Sequence, residues 1–169
     1  MRLAVRDATP DDAGAVAAIL NPIVAAGGFT VLDGPFSVDA ERDFIARFPR
    51  RGIFHVAVAP DGRIVGFQTV EPFAAYATAF DHVGTIGTYV ELGSRRRGVG
   101  GALFAATFAA ARRKGYGKLL TFVRSDNPAA LHAYRRQGFR IVGTAERHAR
   151  VEGRLIDEIV IERILDSAP

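Results

Sequence analysis

The chain has 169 residues, 49% of them hydrophobic and 24% charged, a balance that supports one globular domain with its own core and excludes disordered and fibrous classes. It has no cysteine, and its four histidines show no HExxH spacing, so disulfides, thiolate nucleophiles and metal catalysis are not expected. The net charge of +4 suits an anionic partner, either nucleic acid or a phosphorylated small molecule.

In chain order, Leu3 to Arg6 alternates like a short strand, and Thr9-Pro10-Asp11-Asp12 starts a helix that runs through Leu20. Gly27 to Pro35 reads as a loop. Ser37 caps a second helix, with Phe44, Ile45 and Phe48 at helical spacing before Pro49. Ile53 to Ala59 and Ile64 to Val70 form a hairpin around the turn Pro60-Asp61-Gly62-Arg63. His82 to Glu91 is a further strand, followed by an Arg-Gly loop over Ser94 to Gly101 and a helix over Ala102 to Lys114 that Gly115 ends. Lys118 to Arg124 is a strand, and Asn127-Pro128 opens a helix to Gln137 that Gly138 closes. Strands at Arg140 to Ala149 and Leu155 to Ile164 flank a turn at Glu152-Gly153. This order predicts one mixed sheet with helices on its faces, in a single domain spanning 1–169. No run of about 18 apolar residues is present, and the N-terminus turns acidic where a leader would be apolar, so a cytoplasmic protein without membrane contact is expected.

The segment Thr88 to Leu103 carries the clearest chemistry: a strand, a basic glycine loop and an amphipathic helix. Glycines let backbone approach an anion, the unpaired N–H groups of a first helical turn donate to it, and Arg95, Arg96 and Arg97 add charge. A dinucleotide fingerprint would need glycine at Leu103, and a P-loop would need Gly-Lys-Ser/Thr; neither is present. The plainer alternative is a tight strand-to-helix turn with a solvated arginine face.

The loop resembles the acetyl-CoA motif of the GNAT superfamily of N-acetyltransferases, with Arg95, Gly98 and Gly100 at its defining positions. The superfamily's downstream pattern is met by Asn127, Ala130, Tyr134, Gly138 and Phe139. The resemblance covers nearly the whole chain and implies an α+β, three-layer α/β/α fold with a mostly antiparallel sheet of about seven strands and helices on both faces. It implies acetyl-CoA as cosubstrate: the backbone of Tyr89 and Val90 would pair with the pantetheine amides, and N–H groups of Arg96, Arg97, Gly98, Val99, Gly100 and Gly101 would hold the pyrophosphate. Asn127 would contact the same arm, beside its ordinary role as a helix cap. Tyr134 would hand a proton or a hydrogen bond to the CoA sulfur; its plain alternative is a core tyrosine.

Within the superfamily the chain is most similar to the phosphinothricin acetyltransferase-like group, whose glutamate on the strand before the glycine loop corresponds to Thr85 here. That departure leaves the general base open, with Glu71 and His82 as candidates, the latter beside Asp81. Phe29, Thr30, Phe73 and Tyr76 lie in loops that would border the acceptor, together with Thr85. His55 reads as a satisfied sheet residue, His132 as solvent-facing, and His148 as surface packing with an acceptor-side role left open. The expected partner is a small-molecule primary amine, an amino acid or analogue such as phosphinothricin or methionine sulfoximine. Protein N-termini, polyamines, or a silent acetyl-CoA sensor are the alternatives. No nucleic-acid partner is expected, because basic residues are not interleaved with aromatics. Look-alikes commonly form homodimers, which leaves that state open here.

Overall fold

The computed structural model describes residues 3–165. Its strands are β1 (Ala4–Asp7), β2 (Ile53–Val58), β3 (Ile64–Pro72), β4 (Val83–Val90), β5 (Lys118–Arg124), β6 (Arg140–Val151) and β7 (Arg154–Ile164). Helices α1 (Ala13–Ala26) and α2 (Val38–Ala46) lie between β1 and β2, α3 (Val99–Arg113) between β4 and β5, and α4 (Pro128–Arg136) between β5 and β6.

The strands form one sheet in the order β1-β2-β3-β4-β5-β7-β6. Every neighbouring pair is antiparallel except β4 with β5. Side chains alternate between the two faces. Phe54, Val56 and Phe67 point toward α1 and α2 and pack with Val16, Ile19, Leu20, Ile23 and Ile45. Ile53, Val70, Ile86, Leu119 and Val123 pack on the other face with Phe104 and Phe108 of α3 and Tyr134 of α4. The result is the expected three-layer arrangement. Gly66 lets α3 come down onto β3, because a Cβ there would stand 2.8 Å from Val99 Cγ1.

Two helix boundaries differ from the sequence reading. Helix α1 continues to Ala26, past Pro22, instead of stopping at Leu20. Ile23 beyond the proline is buried in the α1/α2 core, and that burial outweighs one lost backbone hydrogen bond. Helix α3 begins at Val99 rather than Ala102, so Gly100 and Gly101 belong to its first turn and not to the loop. Ser37 caps α2 as expected, accepting from the Ala40 N–H at 3.1 Å.

The feature that creates the site is the single parallel pair. β4 and β5 are in register only from Val83–Lys118 to Thr85–Leu120. Beyond that point Ile86–Val90 pairs only with β3, and Thr121–Arg124 only with β7. The sheet therefore opens into a V whose two inner edges present unpaired backbone groups among the described residues.

Candidate active site

The glycine loop sits at the open end of the V. Gly98 caps α3 with φ of 85°, a left-handed conformation that a side chain would strain, and Arg96 adopts φ of 60° beside it. The first hydrogen bond within this end of the helix is Ala102 N–H to Gly98 C=O at 3.0 Å, so the N–H groups of Val99, Gly100 and Gly101 have no intrahelical acceptor. A Cβ at Gly100 or Gly101 would meet nothing within 4 Å. Packing within the fold therefore does not require glycine there, and the space it leaves is open to an anion at a helix N-terminus. Arg96 and Arg97 are exposed, with no ion pair to the described residues. Arg95 instead lies over the Phe29 ring, 4.2 Å from its centroid, and burial pulls its pKa down.

Along the edge of β4 facing α3 and α4 runs a buried polar line. Tyr134 Oη donates to Thr88 Oγ1 at 2.9 Å, and Gln68 Nε2 donates to the same oxygen at 2.8 Å. With two donors directed at its oxygen, the Thr88 hydroxyl hydrogen is free to turn toward the V. Burial pushes the Tyr134 phenol far above the usual tyrosine value, so it stays a protonated donor. Gln68 Oε1 is the one side-chain oxygen or nitrogen cut off from solvent that has no partner among the described residues. Asn127 accepts from the Ala130 N–H at 3.1 Å, the capping role expected of it, and leaves its amide nitrogen uncommitted.

The opposite face of the V is strapped by the loop after α1. The Thr30 carbonyl accepts from Arg124 Nη1 at 3.0 Å, while Phe29 covers Arg95. Tyr89 stacks on Phe67 with centroids 4.7 Å apart, which leaves its backbone for the edge of β4. Val90 packs beside Val99 and Leu103. Thr85 faces Glu71 directly across β4 and β3, and Glu71 is close enough for its charge to act on Tyr89.

Phe29 thus meets Arg95 of the glycine loop and Thr30 meets Arg124 on one face, Tyr134 meets Thr88 on the other, and Thr85 and Glu71 lie where β4 and β5 part. His82 does not join them. It precedes β4, where its carbonyl accepts from the Gly117 and Lys118 N–H groups at 2.9 and 3.1 Å. That is six residues from Thr88, about 20 Å along a strand. Tyr76 stands 84% exposed against Phe80, away from the V. His55 is buried and bonded to Thr107 Oγ1 at 2.8 Å, as a sheet residue, and His132 is exposed.

Sequence reasoning missed Thr88, Gln68, Arg124 and Glu158. Glu158 pairs with Arg124 across β7 and β5 and is 7% exposed, and burial pushes its pKa up. His148 places Nε2 at 4.0 Å from it and stacks on Phe122 at 5.2 Å. Alternation along β7 is visible in the sequence, but it cannot say which face is which. Among the described residues no group of three or more His, Asp or Glu is placed to hold a metal ion, and no helix is long and apolar enough to cross a membrane.

The profile of the acetyltransferase (GNAT) family matches residues 24–139. The chain belongs to that family. It is a GNAT acetyltransferase, and acetyl-CoA is the cosubstrate of such enzymes. It is 29% identical to a phosphinothricin N-acetyltransferase of Streptomyces coelicolor over 167 residues, 95% of each chain. A mycothiol acetyltransferase of Rhodococcus jostii is 33% identical over 114 residues, 66% of this chain and 37% of that one. Among solved structures, a ribosomal-protein-alanine N-acetyltransferase from Brucella melitensis superposes with a TM-score of 0.88 at 25% identity, covering 96% of this chain and 99% of that one. A phosphinothricin acetyltransferase from Sinorhizobium meliloti in complex with acetyl-CoA gives 0.88 at 21% identity, covering 98% and 89%. That last likeness shows the shared fold.

Proposed function

We propose that this GNAT enzyme acetylates a primary amine of a small molecule, with the V between β4 and β5 as its acetyl-CoA site. The observation that carries the reading is the Tyr134 hydroxyl on Thr88 at the edge of the V, with the open first turn of α3 at its mouth. Acetyl-CoA supplies an acetyl group activated as a thioester. The N–H groups of Val99, Gly100 and Gly101 hold its pyrophosphate, with Arg96 and Arg97 adding charge. The free edge of β4 at Tyr89 and Val90 pairs with the pantetheine amides, and Asn127 stands beside the arm. Tyr134 keeps its proton and donates a hydrogen bond to the sulfur as thiolate charge develops there.

The acceptor amine has a pKa of about 10 and must lose a proton before it attacks. Glu71 takes that proton. A directly facing cross-strand pair has Cβ atoms about 5 Å apart, so Glu71 sets a carboxylate one strand away from the position where Thr85 has none. Phe29 and Thr30 close the acceptor side.

The reaction is checked by measuring CoA thiol release from acetyl-CoA over a panel of amines, with Glu71→Gln beside the natural enzyme. The expected result is turnover with at least one amine and a loss of about a hundredfold in kcat/KM on removing the base. An unchanged rate and pH profile in Glu71→Gln would remove it as the base.

A further inference from the structure

Strand β5 alternates so that Val123 packs toward α3 and α4, which turns Phe122 and Arg124 to the face strapped by Thr30. Glu158 is the cross-strand partner of Arg124 and shares that face. It is a carboxylate with 7% exposure that accepts no hydrogen bond from the described residues. A buried carboxylate left in this state is strongly disfavoured unless a cation joins it.

The nearby basic groups act on that charge without a hydrogen bond to it. Arg124 spends Nε and Nη2 on Asp126, at 2.8 and 2.7 Å, and Nη1 on the Thr30 carbonyl at 3.0 Å. Its charge is shared with Asp126 and reaches Glu158 through space, without a hydrogen bond to it. His148 stays at 4.0 Å, outside hydrogen-bond reach, with its ring flat on Phe122 at an interplanar angle of 11°. Phe122, 39% exposed, and the His148 ring form an apolar platform beside the carboxylate.

We propose that Glu158 binds a second, non-reacting ammonium of the acceptor, so that the substrate class is a diamine or polyamine whose methylene chain lies on Phe122 and His148. This rests on the acetyl-transfer reading above and narrows its acceptor. A carboxylate- or phosphinate-bearing acceptor would need an uncommitted cation at this place, and Arg124 already shares its charge with Asp126.

The test compares spermidine, n-butylamine and phosphinothricin as acceptors for the natural enzyme and for Glu158→Gln. Spermidine is expected to exceed both others at least tenfold in kcat/KM. Glu158→Gln is expected to raise the spermidine KM tenfold or more with kcat within twofold, and to leave n-butylamine unchanged. A preference for phosphinothricin, or a spermidine KM indifferent to Glu158→Gln, would overturn the assignment while leaving acetyl transfer intact. No turnover with any amine, despite bound acetyl-CoA, would overturn the enzyme reading and this one with it. Should Glu158→Gln fail to fold, the ratio of spermidine to n-butylamine in the natural enzyme decides.

Discussion

Toward α3 and α4, the polar groups of the sheet form a connected line, Tyr134 to Thr88 to Gln68, in which each donor is aimed at a hydroxyl. Toward α1 and α2, Glu41 and Glu158 are buried carboxylates that accept no hydrogen bond from the described residues. The first face has its donors in place and leaves Gln68 Oε1 and its backbone edges without partners among the described residues. The second carries carboxylates that the fold leaves without hydrogen bonds, with Arg124 and His148 near Glu158 but not bonded to it. A site that is preorganised on one side and electrostatically incomplete on the other suits two ligands of opposite character, a polyanionic nucleotide arm and a cationic acceptor.

The largest expected break falls on the face toward α3 and α4. Tyr134→Phe removes the hydrogen-bond donor and leaves its packing on Phe104 and Phe139, so kcat should fall by about 10²-fold or more with the acetyl-CoA KM within twofold. Steady-state kinetics would refute that role if kcat stayed within threefold. Next comes the anion cradle. Gly100→Val fills space that no protein atom touches, so the melting temperature should hold while the acetyl-CoA Kd, read by calorimetry, rises about tenfold or more. An unchanged Kd would place the pyrophosphate elsewhere.

The smallest effect sharpens the other face. Burial raises the Glu41 pKa above its unfolded value, so its contribution to stability is full below the unfolded pKa and is lost as pH rises through the folded one. At neutral pH the ionised group therefore opposes folding. Glu41→Gln should raise the melting temperature by about 2–4 °C at pH 7, with the gap closing toward pH 4. Glu158→Gln should shift stability in the same direction while weakening spermidine, which separates a binding carboxylate from a merely buried one. A lower melting temperature for both variants at pH 7 would contradict the burial cost of these carboxylates.

The local structure of the two segments proposed to hold acetyl-CoA was legible in the sequence. Arg95 to Gly101 and Asn127 to Gly138 are short segments whose geometry is encoded locally, by a left-handed glycine, a capping asparagine and a proline at the first helical position. Even there the start of α3 was misplaced by three residues. Glycine's poor helix propensity reads as loop, whereas packing of Val99 against Leu103 and the sheet holds the turn helical. The acceptor side was much less legible. Tyr76 and His82 had the right chemistry and lie away from the V, while Glu158 reads in sequence as one charge in an alternating strand.

By itself, the sequence determined the order of elements, the apolar faces, the left-handed glycine turn before α3 and the asparagine cap of α4, because each depends on residues close together along the chain. Tertiary structure alone decided that β7 enters between β5 and β6, that β4 and β5 part after Thr85, and that Glu71 stands across from Thr85. Those facts set which carboxylates share the acceptor face, and they arise from strand pairing between segments tens of residues apart. Hydrophobic alternation permits several such pairings, and only the packing of the whole sheet against its helices selects one.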